Sequence, residues 1–592
     1  MLETGTAEIG RYVSSTEFNR WPVVVGDGRR QIQGFIFASL PGTTGSTFQG
    51  SINGGQYYSH EILIEGIPLG RFDLQGGSNN EFSPSPEVIS EFKVQTGTVG
   101  AQYGGAQTAV ANFGIKSGTN EIHGTGYLFM QNDALRANTF TNNSLGRVRP
   151  PFKQANYGYA VGGPIYLPKV YDGRNKTFFF NSTEILRERV FNFANLIRLP
   201  STRFKQGDFS QLFSPEFTAR AQSGTNAGND AEGRAVRYGA IYDPATTRRV
   251  GNAVVRDIFP GNIVPRNRWS PVSAKILEVA PIPDPLFDRM LNNTPALSGN
   301  IPVLDERNYG IKVDHHFSSR HRMSGYYNHQ YRLRNNGCAN NALVPPGSPS
   351  GTCQNQYTPG RLVRIAEDWT ITPSILNHFA IGFNRFRNRN VSVFLDQDWP
   401  SKIGLQNVPQ TTFPDLRFDG QAHLGGGIGN GGRLGSALRG DSANGSWITQ
   451  DDVTIIRGRH NYKAGFELRK YYYNTRNRHD TGIYRFDARQ TRLPGFADQT
   501  GHAFASFLLG ALASTQRSVS PSNFGHRVTQ PGFYFMDDWK ATRKLTLNIG
   551  MRWEIIGGLY EVAGRMSGVD LGLPNPAAGN RPGALVFVDD LG

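Results

Sequence analysis

Apolar and polar positions alternate with a period of two over many segments of this chain. In YGIKVDHHF, Tyr309, Ile311, Val313, His315 and Phe317 share one face, and Gly310, Lys312, Asp314 and His316 share the other. Tyr462, Ala464, Phe466 and Leu468 alternate with Lys463, Gly465, Glu467 and Arg469. Leu545, Leu547, Ile549, Met551 and Trp553 alternate with Thr546, Asn548, Gly550, Arg552 and Glu554. Successive side chains of a strand point to opposite faces, so the pattern predicts strands with one apolar and one polar face. About eleven such strands follow, near 122–131, 155–166, 175–190, 307–317, 321–333, 361–372, 375–388, 446–456, 461–474, 527–541 and 545–557.

The connections alternate as well. Short turns fall at Ser318–His321, Pro373–Ser374, Arg457–His460 and Thr542–Lys544. Long Gly/Pro/Asn-rich loops fall near 132–154, 191–306, 334–360, 388–445 and 475–526. Compact soluble domains rarely carry such loops, whereas an up-and-down barrel of an outer membrane has short periplasmic turns and long external loops. Trp369, Trp447, Trp539 and Trp553 lie near strand ends, as in an interfacial girdle; a soluble β-sandwich would instead keep them in its core. If the first strand rises from the periplasm, every short turn lies on that side. The last strand then rises too, and the sheet is expected to be open, with strands 122–131 and 545–557 unpaired with each other. Residues 1–115 differ: turns at SINGG and GGSNN, short strands at HEILIEGIPL and EFKVQT, and a short helix at SPEVISEF predict a compact α+β unit.

Composition narrows the class. The 592 residues include 70 Gly and 11% aromatics, which with the patterning excludes a disordered chain; no Gly-X-Y period points to collagen. No apolar run is long enough for a membrane-spanning helix, which leaves a membrane barrel open. The formal charge of +15 reflects runs such as RNRWS, RFRNRNV, RGRHNYK and RKYYYNTRNRH. Basic residues among aromatics resemble a nucleic-acid surface, but their place at strand ends suits a polar lumen or lipid headgroups, so no nucleic-acid partner is expected. The start, MLETGTAEIGRY, lacks the basic and apolar regions of a signal peptide. Either the protein is cytosolic or the chain does not start at the true N-terminus; the remaining features favour the second.

Candidate chemistry is sparse. Cys338 and Cys353 share one Pro/Gly/Asn-rich stretch with no His or carboxylate cluster, so no metal site is expected. One disulfide across a surface loop is the preferred reading, with two free thiols as the alternative. His315, His316 and His321 gather at one short turn and His460 at another, where polar turns explain them better than a metal or catalysis. No Ser/His/Asp ordering, paired carboxylates in a helical frame or HExxH appears, so neither an enzyme nor a cofactor is expected. GGSNN at 76–80 lacks the Lys-Ser/Thr of a phosphate loop. GIKSGTN (114–120) and AQYGG (101–105) read as turns, with anion binding at the former as the weaker alternative. AFASFLLGALA (503–513) is too short to span a membrane; it predicts a short helix or buried strand on the loop side of the lumen.

The run IEGIPL…SPSPEVISEFKVQTGTVGAQYGGAQTAVANFGIKSGTNEIHGTGYLFMQNDALRANTF resembles the plug-to-barrel junction of TonB-dependent outer-membrane transporters, the Oar-like group in particular. The correspondence runs through Glu65-Gly66, Pro86–Val94, Ala101–Gly104, Gly105–Asn112, Lys116–Asn120 and His123-Gly124. PPFKQANYGYAVGGPI, KTFFFNSTEILR, GDFSQL, IYDPAT, FPGNIVPRNRWSPVSAKIL and AFASFLLG continue it in family order. Glu65 stands where Asp is usual. No carboxypeptidase-regulatory-like domain or TonB box is recognisable, and LVFVDDLG lacks the terminal aromatic strand of such barrels.

The resemblance implies a mainly β fold: a plug at 1–115, then an antiparallel up-and-down transmembrane β-barrel at 116–592, incomplete, with about 11 of about 22 strands. It implies an outer-membrane location, a TonB–ExbB–ExbD energising complex as partner, contact with outer-membrane lipid, and an external ligand of unread class: siderophore, glycan, peptide or cobalamin. Plug loops near 43–58 and 69–83 become candidate ligand contacts, with solvated connectors as the alternative. The competing function is a non-transporting surface adhesin or a soluble all-β binding module. The direction of the apolar faces discriminates between a membrane and a soluble fold.

Overall fold

In the computed structural model the described residues are 9–18, 25–26, 29–45, 50–57, 59–70, 82–97, 99–105, 108–144, 146, 148–190, 193–197, 199–215, 226–280, 294–297, 303–335, 354–419, 433–435, 439–477, 481–517 and 523–588. A five-stranded mixed sheet forms the N-terminal unit: β1 (Ile9–Ser14), β2 (His60–Ile64), β3 (Ile67–Pro68), β4 (Ile89–Gly97) and β5 (Ala109–Ile115), in the order β1-β4-β5-β2-β3. Only β2 and β5 run parallel. Helix α1 (Ile32–Ser39) has no side-chain cap. Packing holds it instead, because Ile32, Phe35 and Ile36 recur at helical spacing and are buried.

A large antiparallel sheet follows, its strands adjacent in chain order. They are β6 (His123–Asn132), β7 (Phe152–Pro164), β8 (Thr177–Val190), β9 (Val303–Ser318), β10 (His321–Asn335), β11 (Gly360–Thr372), β12 (Ile375–Ser392), β13 (Arg439–Arg457), β14 (His460–Asn477), β15 (Asn523–Trp539) and β16 (Leu547–Glu554). Segments Gln354–Tyr357 and Tyr560–Glu561 continue β11 and β16 on the same neighbours. Each expected strand has a counterpart, and among the described residues β6 and β16 do not pair with each other. Several strands run farther toward the long loops than alternation indicates: β13 begins at Arg439, against an expected start near 446. Past the apolar band neither face is greasy, so the periodic signal fades while the backbone ladder continues.

The two faces of this sheet differ. Toward the N-terminal unit, Asn308, Lys312, Asn328, Gln330, Arg364, Asn384, Glu467 and Arg469 are buried polar residues. Ala160, Phe180, Tyr326, Leu362 and Ile448 of the same face join Val13, Ile36, Ile64, Phe92 and Phe113 in one apolar core. The opposite face is apolar and open: Trp447 is 52% exposed, Trp553 58% and Met551 71%, with Tyr309, Ile365, Phe533 and Ile549 also exposed. A soluble sandwich would bury such rows, whereas a membrane barrel presents them to lipid. Among the described residues no helix is long and apolar enough to cross a membrane.

The long loops fold on one another. Phe204, Phe209, Ile241, Phe259 and Ile276 come from the loop after β8. Ile403, Phe413, Leu416 and Phe418 come from that after β12, and Phe486, Phe504 and Phe507 from that after β14. Together they make a second apolar core. Asp415–Phe418 pairs in parallel with Ile483–Phe486 across two of these loops. Helices α2 (Pro271–Val279) and α3 (Ala503–Leu508) pack in this cap, and every residue of α3 is buried. Of the two forms expected for the apolar run 503–513, a short helix or a buried strand, its first six residues take the helix, held in a loop-built core. Asn262, at φ 62°, clasps the first loop: its side chain accepts from the Ile241 N–H at 2.7 Å and donates to the carbonyls of Phe209 and Gly239.

Candidate functional site

A cavity of about 610 Å³ lies between the N-terminal sheet and the sheet wall, among Glu65, Lys312, Arg364, Asp368, Glu467 and Arg469. The hairpin β2–β3 delivers Glu65 to it. Ile64 pairs with Ile67, leaving Glu65 (φ 47°) and Gly66 (φ 82°) as the two turn residues. Positive φ at both positions suits Asn/Asp-Gly best, so Glu65 carries backbone strain. Its contacts account for the carboxylate. Lys312 Nζ donates to Oε1 at 2.6 Å, the Ile115 N–H to Oε1 at 3.1 Å, and Arg364 to Oε2 at 3.2 Å. The charge that Glu65 shares with the usual Asp thus meets two buried cations from the wall.

A second cluster sits on β14. Arg469 is 2% exposed and donates to Glu61 Oε1 at 2.7 Å, to both oxygens of Glu467 at 2.8 and 3.2 Å, and to the Gly104 carbonyl at 3.1 Å. Arg552 on β16 reaches Glu467 Oε1 at 2.8 Å and Glu554 at 3.3 Å. Charges thus alternate from the N-terminal unit into the wall. Burial pushes the Glu61 carboxyl up to about 7, with Arg469 pulling the other way. Next to it, burial pushes the His60 imidazole down to about 4. The AQYGG turn lies directly against this cluster. A Cβ on Gly105, at φ 77°, would come within 2.7 Å of Arg469, and one on Gly104 within 2.3 Å of Arg552. These glycines leave room for arginines as well as making a turn.

A third contact involves β6 and β8. Arg30 donates to Glu87 at 2.9 Å and lies 4.3 Å over the Phe129 ring. Glu184 accepts from Ser85 and Tyr127, each at 2.8 Å.

The other sequence candidates resolve structurally. In GIKSGTN, Lys116 Nζ donates to the Glu87 carbonyl at 2.8 Å, and Asn120 Oδ1 accepts from the Asn175 N–H at 2.6 Å. A Cβ on Gly118 would strike the Phe179 carbonyl oxygen at 2.3 Å, so this segment is a close-packed turn. His315 lies 2.7 Å from Thr177, His321 2.6 Å from Glu367 and His460 2.7 Å from Asp537, as polar turns require. Among the described residues no group of three or more His, Cys, Asp or Glu could hold a metal. Cys338, Cys353, GGSNN and most of the 69–83 loop lie outside the described residues. In the 43–58 loop, Thr43–Gly45 pairs with Gly50–Ile52 as a hairpin. Sequence reading did not single out Lys312, Arg364, Glu467, Arg469 or Arg552 as a site. The available signal was charge at lumen-facing positions, such as Glu467 and Arg469 two residues apart on one strand.

A family model described as "Outer membrane beta barrel domain" matches residues 114–592. The chain belongs to this outer membrane beta barrel domain family. That membership agrees with the outward apolar face and places the protein in the outer membrane. No curated protein matches this barrel protein in sequence. Among solved structures, the outer membrane transporter YddB from Escherichia coli shares the fold at TM-score 0.51 and 10% identity, over 93% of this chain and 57% of YddB. The siderophore receptor PirA from Acinetobacter baumannii aligns at TM-score 0.46 and 11% identity, over 98% of this chain and 66% of PirA. The alcaligin outer membrane receptor FauA from Bordetella pertussis aligns at 0.43 and 9%, over 94% and 58%. The barrel chain thus spans between 57% and 66% of the length of these three proteins.

Proposed function

We propose that this chain is the plug and barrel portion of a TonB-dependent outer-membrane transporter of the Oar-like group, with residues 1–115 as the plug and 116–592 as barrel. The observation that carries the reading is the seam. A small α+β unit is seated on the polar face of a sheet whose other face is apolar, and buried ion pairs join the two. A permanently fused core would need no such ions; alternating charges give a fixed register that a pull on the unit's N-terminal side could break. In this reading the TonB–ExbB–ExbD complex supplies the pull, an external ligand enters past the loop cap, and import rather than export is the direction.

The test is uptake by cells carrying the full-length protein, with and without the energising complex, using a panel of labelled siderophore complexes, glycans, peptides and cobalamin. Uptake of one class only in energised cells is expected. Uptake independent of that complex would overturn the reading. Cys338 and Cys353 are proposed as a disulfide in the loop after β10; mass spectrometry without reductant on protein from the envelope should find the two peptides linked.

A further inference from the structure

One cross-strand row on the lipid-facing side carries an unusual load of positive charge. The register runs Tyr309↔His329, His329↔Arg361, Arg361↔Arg385, Arg385↔Gly445, Gly445↔Tyr472 and Tyr472↔Arg527. Neighbours in such a row point to the same face of the sheet. This row therefore brings together three arginines, one histidine and two tyrosines from seven strands that are far apart in sequence. Arg361 and Arg385 are directly opposite each other and exposed. Like charges so placed destabilise a strand pair unless an anion lies between them. Among the described residues, none of Arg361, Arg385 and Arg527 makes an ion pair with a carboxylate. Arg527 donates to Asn474 at 2.9 Å and lies 6.0 Å over the Tyr472 ring.

The neighbouring arginine gives the contrast. Arg387, the next same-face residue outward on β12, is held by Asp441, with Nε donating at 2.6 Å. Charge at that position is neutralised within the protein, and one row nearer the membrane it is not.

Height matters too. Arg361 is about eleven residues from the short turn after Thr372, or ~28 Å for strands rising ~3.3 Å per residue at ~40° tilt. That is the headgroup level at the long-loop edge of an apolar band about 25 Å tall. Directly beneath, the next row reads Tyr327↔Val363, Val363↔Phe383 and Phe383↔Trp447, with Ile365↔Ile381 below that. Lys470 lies opposite Trp447, and its stem is long enough to raise its ammonium toward the arginine row.

We propose that the facing pair Arg361 and Arg385 forms a docking site for the phosphate headgroup of an anionic membrane lipid whose acyl chain lies over Val363, Phe383 and Ile381, with Lys470 and Arg527 farther along the sheet adding to the positive field. The lipid supplies the missing counter-charge, and the apolar rows below hold its tail. The same arginines would not favour a zwitterionic headgroup of equal tail length to a comparable degree, because its own ammonium competes for the phosphate.

Native mass spectrometry of the full-length protein tests this. The protein, in mild detergent, is offered an equimolar mixture of phosphatidylglycerol and phosphatidylcholine with identical tails. The wild type should retain phosphatidylglycerol in about tenfold or greater excess. The pair Arg361→Gln with Arg385→Gln should lose that excess by about tenfold or more, while Arg387→Gln keeps it. Heat-modifiable gel mobility checks that each variant is folded. Equal retention of the two lipids by the wild type overturns the proposal whether or not the variants fold. So does a folded double variant that keeps the preference, or inorganic phosphate that binds the arginines equally well and displaces the lipid at equal concentration.

Discussion

The N-terminal unit meets the wall of strands through buried ions set beside a shared apolar core, whereas the long-loop cap is sealed by apolar packing. At the seam, Arg469 bridges Glu61 and Glu467, and Glu65 binds Lys312 and Arg364. In the cap, Phe418, Phe486, Phe504 and Phe507 pack ring on ring at 5.3 to 6.1 Å. The materials have different physical consequences. Apolar burial is favourable but nearly indifferent to small shifts, so it suits parts that stay together. A buried ion pair contributes little net stability, because desolvation offsets the Coulomb gain, yet it strongly penalises any arrangement that separates its members. The seam is therefore built for one register, and the cap for cohesion.

The largest expected effect comes from breaking the seam. Arg469→Met leaves Glu61 buried without its cation and should weaken attachment of the N-terminal unit by roughly 3–5 kcal/mol. Limited proteolysis of the full-length protein should then release residues 9–115 far faster, with the cap unaffected. Adding Glu61→Leu should recover most of the loss, since no orphaned charge then remains on that unit. If the double change is no better than the single one, packing rather than charge holds the seam.

Phe504→Ala probes the other side. A cavity in the cap core should cost about 3 kcal/mol. Hydrogen exchange should rise in residues 199–280 and 399–418 while β1–β5 stay protected. Exchange spreading equally into the N-terminal unit would mean that cap and seam unfold as one.

Proton concentration acts on the seam from two sides. His60 is 2% exposed, and neither ring nitrogen has a partner among the described residues. Its pKa falls from 6.5 to about 4, so its neutral form contributes stability above pH 6.5 that is lost as pH falls through that window. The loss is at most about 3 kcal/mol. Glu61 works in the opposite sense: its raised pKa gives a contribution present below 4.5 and lost as pH rises toward 7. The two windows overlap with opposite signs, so denaturation of the N-terminal unit should vary little between pH 4 and 7, and His60→Leu should uncover the Glu61 limb as a fall in stability from pH 4.5 to 7. A profile unchanged by that variant would rule His60 out.

The smallest effect is expected at Gly105. Alanine there meets a positive φ and the Arg469 guanidinium, a cost of about 1–2 kcal/mol. Thermal unfolding should drop modestly, and the drop should shrink to the backbone-strain part in an Arg469→Met background. Persistence of the full drop there would assign the cost to backbone strain alone.

Much of the wall was legible in the sequence. The alternation in 309–317 and 462–469 identified the two faces correctly, because each strand writes its environment into consecutive residues. The turns at 373–374 and 457–460 were legible for the same reason: Pro, Ser, Gly and charged residues interrupt the pattern locally. The Glu65-Gly66 turn was visible as a motif, but not the use of its carboxylate, since Lys312 and Arg364 are 247 and 299 residues away. Arg469 is farther still, 408 residues from Glu61. Residues in AFASFLLGALA announced burial without naming what would bury them.

By itself, then, the sequence determined the strands, their apolar and polar faces, the alternation of short and long connections, and the change of character near residue 115. Those properties follow from period-two geometry and turn chemistry, which act over a few neighbouring residues. Only the tertiary structure decided which inward charges meet across the seam. It also decided that loops after β8, β12 and β14 share one core, and that Arg361, Arg385 and Arg527 align in one row. None of these segments buries enough apolar surface within its own stretch of chain, and Glu61 and Glu65 meet Arg469, Lys312 and Arg364 only across the seam. Their partners are fixed by strand order and register, which the ladder of backbone hydrogen bonds sets across the whole sheet.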